Sequence, residues 1–420
     1  MFFSLQWHIT QQCSNHCRHC YMDETHYDLT FDDYLTCIEN ISSFEQRSDF
    51  FVSTIAITGG DPLLNPEWFD IAKDIVSRNK NITFLGNPES LSDDNLEKIA
   101  SLSPKMFQLS LDGMRKKHDS LRYDGSFDKT IEGIHKLNNY NIPIGIMFTL
   151  SNENVGELNN VICFLDALNI KLSFAFDFVI ETGHARNNDI RAQVDKKEIF
   201  NQYLNIKKEL QSKKSLVTLQ EKPSQIFAHK NSETLTESLI EHIPFDVCGG
   251  CGAGWRHLTI IKRGEVLACR RMPVQIGNLF SDSFENILLN SPILKELRAL
   301  NSMGECSTCL FQKFCRGCPA ENYAHSGHFF GNNKCVWYKP IAENKHTINS
   351  DGICNISNLF RVLEDDRRDY LKANIILHKK DERDKLIDNP IKWEEVHRLK
   401  LDSKELGMLL FTVLSRNNVF

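Results

Sequence analysis

Residues 13 to 20 read CSNHCRHC, which places three thiols, Cys13, Cys17 and Cys20, in one short stretch. Thiolate is a soft donor that suits zinc and iron-sulfur centres. A four-iron cubane asks for one ligand on each iron, so three cysteines leave the fourth iron open to another molecule. A structural zinc site would want a fourth protein ligand, and His16 or His19, crowded between the cysteines, could supply it. Eleven more cysteines follow, eight of them clustered downstream: Cys248, Cys251, Cys269, Cys306, Cys309, Cys315, Cys318 and Cys335, with Cys37, Cys163 and Cys354 apart from the clusters. Eight is the number that two fully ligated cubanes require, although the CxxC pairs among them would also serve zinc ribbons. Cys37 and Cys163 lie on helical patterns and are expected as small buried apolar groups.

The chain of 420 residues is 41% hydrophobic and 25% charged, with a formal net charge of −6. That length exceeds one ordinary domain, and the composition is globular. No run approaches the ~18 consecutive apolar residues of a membrane span, and the acidic balance gives no electrostatic reason to expect nucleic acid. The start, MFFSLQWHITQQC, lacks the basic segment and cleavage site of a signal peptide. A cytoplasmic location is therefore expected, where cysteines stay reduced and clusters of them bind metal or do catalysis.

The elements that must position the first three thiols alternate. Apolar runs at residues 4–10, 54–60, 82–87, 106–112, 142–150 and 171–179 are separated by amphipathic stretches with helix-start signals: Thr30 followed by Asp33, Pro66, and Ser92 before DDNLEKIASL. Six strand-then-helix repeats imply an α/β fold with a parallel sheet, doubly wound or an incomplete barrel. Ligand-bearing loops in such folds sit at the carboxyl ends of the strands. The three cysteines follow the first run, Gly59, Gly60 and Asp61 end the second, Gly86 and Asn87 the third, and Asp112 and Gly113 the fourth. Asn87 and Gly113 taken alone also suit ordinary turns. Residues 240–340 are cysteine-rich loops, and 341–420 carry the charge runs DDRRD and KKDERDK, the pattern of a solvated face.

Cys13, Cys17 and Cys20 match CxxxCxxC, and in this setting the chain resembles the radical S-adenosylmethionine (SAM) enzymes, with a partial (β/α)6 TIM-like barrel over 1–225. The resemblance implies a [4Fe-4S] cluster on these cysteines. SAM would chelate its open iron and be cleaved to a 5′-deoxyadenosyl radical that abstracts hydrogen from the substrate. Gly59, Gly60 and Asp61 resemble the family's GGE-type motif, whose backbone groups receive the SAM amino group, with Asp in place of the commoner Glu. LSLDG resembles its ribose-contact strand, with Ser110 and Asp112 as hydroxyl partners, and His19 stands where the family carries an aromatic residue near adenine. Asn87 is a further cofactor-side candidate, and Arg186 a candidate partner for the SAM carboxylate or a substrate acid.

The downstream cysteines resemble a SPASM domain with two auxiliary [4Fe-4S] clusters, giving three clusters in all. The family topology assigns Cys248, Cys251, Cys269 and Cys318 to the first and Cys306, Cys309, Cys315 and Cys335 to the second. Two spacings differ from the common pattern: Cys315 and Cys318 are two residues apart, and the opening pair is a tight CxxC. Swapped ligands or an open auxiliary site therefore stay open.

Members with both domains mostly modify peptides. The expectation is a cytoplasmic oxidoreductase that matures a ribosomally made precursor peptide through a C–C, C–S or C–O crosslink, served by a low-potential donor such as flavodoxin or ferredoxin. With the first strand starting within ten residues, peptide docking is expected at the barrel edge or on 341–420. Sulfatase-type formylglycine formation is disfavoured because Arg270, followed by Arg271, replaces the aspartate that family places after the matching cysteine. Oxidative tailoring of a small molecule such as a tetrapyrrole is the other enzymatic alternative, and a zinc-stabilised scaffold the non-enzymatic one.

Overall fold

The computed structural model describes residues 2–22, 27–48, 50–220, 251–299 and 317–330. The chain divides into two compact units. One comprises Met1–Gln220, Gly252–Ser302 and Pro319–Gly331; the other comprises Glu221–Cys251, Met303–Cys318 and Asn332–Phe420. Of the second unit only Cys251, Gly317 and Cys318 belong to the described residues.

The first unit is an open sheet covered by helices. Its elements begin β1 (Phe2–Thr10), α1 (Phe31–Glu45), β2 (Phe51–Gly59), α2 (Trp68–Ser77), β3 (Asn81–Leu85), α3 (Asp93–Ser101) and β4 (Met106–Ser110). They continue α4 (Arg115–Leu121), α5 (Ser126–Asn139), β5 (Ile144–Leu150), α6 (Leu158–Ala167), β6 (Leu172–Phe178), α7 (Gly183–Asn187), α8 (Lys196–Ser212) and β7 (Val217–Leu219). Beyond residue 250 come β8 (His257–Ile260), β9 (Glu265–Cys269), β10 (Met272–Asn278), α9 (Phe284–Asn290), α10 (Pro292–Arg298) and α11 (Pro319–Ser326). The sheet order is β10-β9-β8-β1-β2-β3-β4-β5-β6-β7. The strands from β8 to β7 pair in parallel, and β9 and β10 add antiparallel.

The six expected strands are all present. β7 adds a seventh that is too short, at three residues, to show a period of two. The start signals hold in two of three cases: Thr30 accepts from Asp33 N to cap α1, and Ser92 accepts from Asn95 N to cap α3. Pro66 instead lies in the turn ahead of α2, which begins at Trp68. Strand alternation sorts side chains between two environments. In β1, Phe3, Leu5, Trp7 and Ile9 are buried on one parity, with Trp7 against Tyr34 of α1. The other parity holds Gln6, His8 and Thr10, equally buried but polar. Cys37 is fully buried as expected, whereas Cys163 is exposed: on α6 it falls off the face that buries Leu158, Val161, Ile162 and Leu165. Among the described residues no helix is long and apolar enough to cross a membrane.

The amino ends of the strands are clamped by one buried ion pair. Lys80 Nζ lies 2.8 and 2.9 Å from the two carboxylate oxygens of Glu45 and donates to Val52 O at 3.2 Å. Glu45 Oε1 also accepts from Val52 N at 2.6 Å, so the end of α1 and the starts of β2 and β3 meet at one point. The Lys80 side chain is 2% exposed. Removing one partner strands the other away from water, so Lys80→Met is expected to lower the unfolding free energy by about 3 kcal/mol. Glu45→Gln in the same chain should recover part of the loss, as read by urea denaturation.

Candidate functional site

The three-cysteine loop is an irregular segment, so its backbone needs anchors. The β1–β2 ladder supplies the first by running past both strand ends: Gly60 N donates to Thr10 O at 3.1 Å, and Asp61 N to Gln12 O at 2.7 Å. This contact leaves no room for a side chain on the β2 side. A Cβ on Gly60 would lie 2.2 Å from Gln12 O and 2.8 Å from Cys13 Cβ, and one on Gly59 2.2 Å from Thr10 O. The double glycine is thus explained first by the approach of the cysteine loop.

The far end of the loop is held from the other side of the sheet. Arg18 N donates to Leu121 O at 2.9 Å, and the Arg18 guanidinium meets Glu153 through two contacts of 3.1 and 3.2 Å. Ala185 N in α7 reaches Cys20 O at 3.4 Å, and Asn188 Nδ2 reaches Arg18 O at 3.0 Å. Gly183, at φ +54°, has Tyr21 O at 2.6 Å from its Cβ position, a second place where the loop is approached too closely for a side chain.

The loop opens on a cavity of about 630 Å³. Its walls come from the carboxyl ends of β1 to β6 and from the β9–β10 turn, which contributes Arg270 and Arg271. Cys13, Cys17 and Cys20 line it. Cys13 Sγ accepts from Asn15 N at 3.4 Å and from Asn87 Nδ2 at 3.3 Å. Cys17 Sγ accepts from Arg122 Nη1 at 3.4 Å. Burial pushes the Cys17 thiol up to about 11, against the pull of Arg122, so ligation must displace a proton.

Cys13, Cys17 and Cys20 line the cavity together with His16 and His19. A cubane asks each thiolate for a different iron. Three part-buried thiols on one cavity wall, two of them met by N–H donors from outside the loop, suit that demand.

Of the other candidates, Gly59, Gly60, Asn87, Ser110 and His19 line the cavity. His19 Nε2 sits 3.4 Å from Asp112 Oδ2, while its Nδ1 is buried without a partner. Three candidate side chains stand off the cavity lining. Asp112 does not border the cavity: its carboxylate is fully buried, accepting from Arg122 Nε and Thr149 N at 2.7 Å each. Burial alone would raise it, but Arg122 and His19 hold it well below the usual carboxylate range. Asp61 likewise points away, accepting from Ser90 Oγ, Leu63 N and Asn87 N, with burial pushing it up to about 6. Arg186 is exposed and bonds Glu181 O and Ala324 O instead of reaching the cavity.

The arginine that does reach it is Arg122, which the sequence reading missed. It follows the run RKKHDSL, where nothing in the pattern separates it from solvent-facing cations. Arg271 pairs with Asp177 at 3.0 Å, and Arg270 donates to Gln6 Oε1 at 2.8 Å with its guanidinium 5.5 Å from the Tyr21 ring centre. Cys251, Cys269 and Cys318 are part-exposed. Cys248, Cys306, Cys309, Cys315 and Cys335 lie outside the described residues.

Two predictions follow from this geometry. Gly60→Ala should displace Cys13 and lower the iron bound per chain after anaerobic reconstitution, with the far-UV circular dichroism retained. The second concerns pH. Burial lowers His8 to about 3 and His118 to about 4, from an ordinary 6.5. Between those values the unfolded chain binds protons that the folded chain refuses, so stability is full above 6.5 and falls as the pH drops toward 4. Urea midpoints should be lower at about pH 5 than at about pH 7.5, and His8→Gln should reduce the difference.

Comparison with known proteins bears on what this site holds. The Radical SAM superfamily profile matches residues 7–165, and that of SPASM, an iron-sulfur cluster-binding domain, matches residues 251–319. The chain is 24% identical over 343 residues to the AdoMet-dependent heme synthase of Methanosarcina barkeri, covering 80% of this chain and 96% of that one. It is 26% identical over 347 residues to the antilisterial bacteriocin subtilosin biosynthesis protein AlbA of Bacillus subtilis, covering 79% and 70%. The structure of Streptococcus suis SuiB bound to S-adenosylmethionine superposes with a TM-score of 0.64 at 15% identity, over 80% of this chain and 77% of that one, and so shares the fold. The chain therefore carries a radical SAM domain followed by a SPASM iron-sulfur cluster-binding domain, which together imply SAM and iron-sulfur clusters.

Proposed function

We propose that this chain is a radical SAM maturase that oxidatively modifies a ribosomally made precursor peptide, forming a C–C, C–S or C–O crosslink between side chains. The observation that carries the reading is the three-thiol loop, anchored on both sides and opening on one cavity at the carboxyl ends of the strands. In this reading Cys13, Cys17 and Cys20 hold the SAM-binding cluster. The backbone at Gly59 and Gly60, with Ser110 and His19, flanks the bound SAM. When bound, the cluster and SAM supply a one-electron route to removing hydrogen from an unactivated C–H bond; the protein supplies orientation and keeps water out.

A crosslink formed after hydrogen removal leaves one electron to be accepted. Cys269 is a proposed auxiliary-cluster ligand and directly precedes Arg270 and Arg271, which line the cavity, so an acceptor held there would stand beside the substrate. The full proposed set is Cys248, Cys251, Cys269 and Cys318 for the first auxiliary cluster and Cys306, Cys309, Cys315 and Cys335 for the second. A cavity of about 630 Å³ is of a size to take SAM and one substrate side chain. The biosynthesis protein AlbA among the relatives, and a SuiB structure bound to precursor peptide SuiA, support a peptide substrate. A low-potential one-electron donor of the flavodoxin or ferredoxin kind would feed the first cluster.

One observation favours a second reading, oxidative tailoring of a tetrapyrrole. The heme synthase relative matches over 96% of its length, further than AlbA does. Anaerobic incubation with SAM, reductant and a peptide encoded beside this chain's gene separates the two. Maturation predicts that the peptide loses two hydrogens by mass spectrometry as deoxyadenosine appears. An unchanged peptide, with SAM-dependent mass loss from an iron tetrapyrrole bearing propionates, would select the second reading. Replacing Cys13, Cys17 and Cys20 together by Ala should remove about four irons per chain and abolish deoxyadenosine formation under either.

A further inference from the structure

Arg122 follows α4 and lies in the cavity wall between a carboxylate and a thiol, its side chain 12% exposed. Its Nε donates to Asp112 Oδ2 at 2.7 Å, and its Nη1 to Cys17 Sγ at 3.4 Å. The pose is fixed from behind. Asp112 Oδ1 accepts from Thr149 N at 2.7 Å, Asp112 N donates to His118 Nδ1 at 2.9 Å, and Asp112 O accepts from Asn154 Nδ2 at 2.8 Å. β5, α4 and the turn before α6 thus hold Asp112 by its main chain and one carboxylate oxygen, and the other oxygen aims one guanidinium at one thiol. A guanidinium keeps its charge throughout the working pH range, and the contact with Asp112 pairs that charge from behind. Cys13 is met differently, by the neutral amide of Asn87.

We infer that Arg122, aimed by Asp112, is a positioning residue that sets the reduction potential of the cluster held by Cys13, Cys17 and Cys20. The inference rests on the radical SAM reading of the site. Taking up one electron makes the cluster more negative, and a fixed positive charge donating N–H to a ligand sulfur stabilises that reduced state, raising the potential. Asp112 acts in the opposite sense from one bond further back, so the guanidinium dominates through its contact with sulfur. Arg122 gains and loses no proton, and the electron comes from an external one-electron donor, dithionite in the assay.

The test is a potentiometric titration of the anaerobically reconstituted full chain, followed by electron paramagnetic resonance. The first cluster is identified as the signal that changes when SAM is added. Arg122→Gln should lower its midpoint potential and Asp112→Asn should raise it, with Arg122→Lys between wild type and Arg122→Gln. A merely structural role would move Arg122→Gln and Asp112→Asn in the same direction. The inference is overturned if they do so, or if Arg122→Gln assembles a SAM-responsive cluster at the wild-type potential. Should Arg122→Gln assemble no cluster, Arg122→Lys decides: a potential at or slightly below wild type supports the inference, and one above it overturns it. A wild-type chain with no SAM-responsive signal sinks the radical SAM reading itself, an outcome distinct from these.

Discussion

Everything the cavity can do depends on the β1–β2 ladder continuing past the point where the strands end. An irregular loop of eight residues would fluctuate on its own, and three thiols must hold fixed separations to take three irons of one cluster. The backbone bonds from Gly60 and Asp61 to Thr10 and Gln12 turn the start of that loop into an extension of the sheet. Their cost is the absence of side chains at two positions, which is why glycine is demanded there. Leu121, Glu153, Ala185 and Asn188 fix the other end, so the loop spans the sheet between rigid supports.

Much of this was legible in the sequence, for a physical reason. Strand position and helix starts are local properties, written in the alternation of apolar residues and in caps such as Thr30 and Ser92. The placement of motifs at strand ends then follows from topology. What a motif does not encode is where its side chains point. Asp112 is expected to face a ribose, and Asp61 to belong to a turn whose backbone meets SAM, yet neither carboxylate borders the cavity. Each turns away because backbone amides and neighbouring side chains, brought in from other strands and helices, satisfy the carboxylate better than an open cavity would. Arg122 was invisible for the same reason, since its role exists only through Asp112 and Cys17, at distances of ten and 105 residues along the chain. Cys163 was misjudged because a helix of ten residues leaves several positions on its solvent face and the pattern does not say which.

The interior electrostatics divide by height. At the amino ends of the strands a lysine and a glutamate neutralise each other away from water. Midway, β1 contributes Gln6 and His8, the latter kept neutral by burial and by Arg270. At the carboxyl ends, among the described residues, Arg122, Arg270 and Arg271 line the cavity with Asp177; Arg122 is paired from behind by Asp112 and Arg271 by Asp177, which leaves Arg270 without a carboxylate on this wall. An iron-sulfur cluster with thiolate ligands is an anionic guest, as is a carboxylate, and N–H donors of paired guanidiniums can meet either.

The attachment of β8 to β1 gives the strand feeding the cysteine loop a hydrogen-bonded neighbour on each side, Ser4 to Trp7 facing His257 to Ile260 on one flank and β2 on the other. A fragment ending near Gln220 would therefore bare the amides and carbonyls of β1 along an edge built to be interior. Such an edge invites association between molecules. The amino-terminal half is thus not a self-sufficient piece: its innermost strand is completed by chain made more than 250 residues later, and insolubility is the natural outcome of expressing it alone.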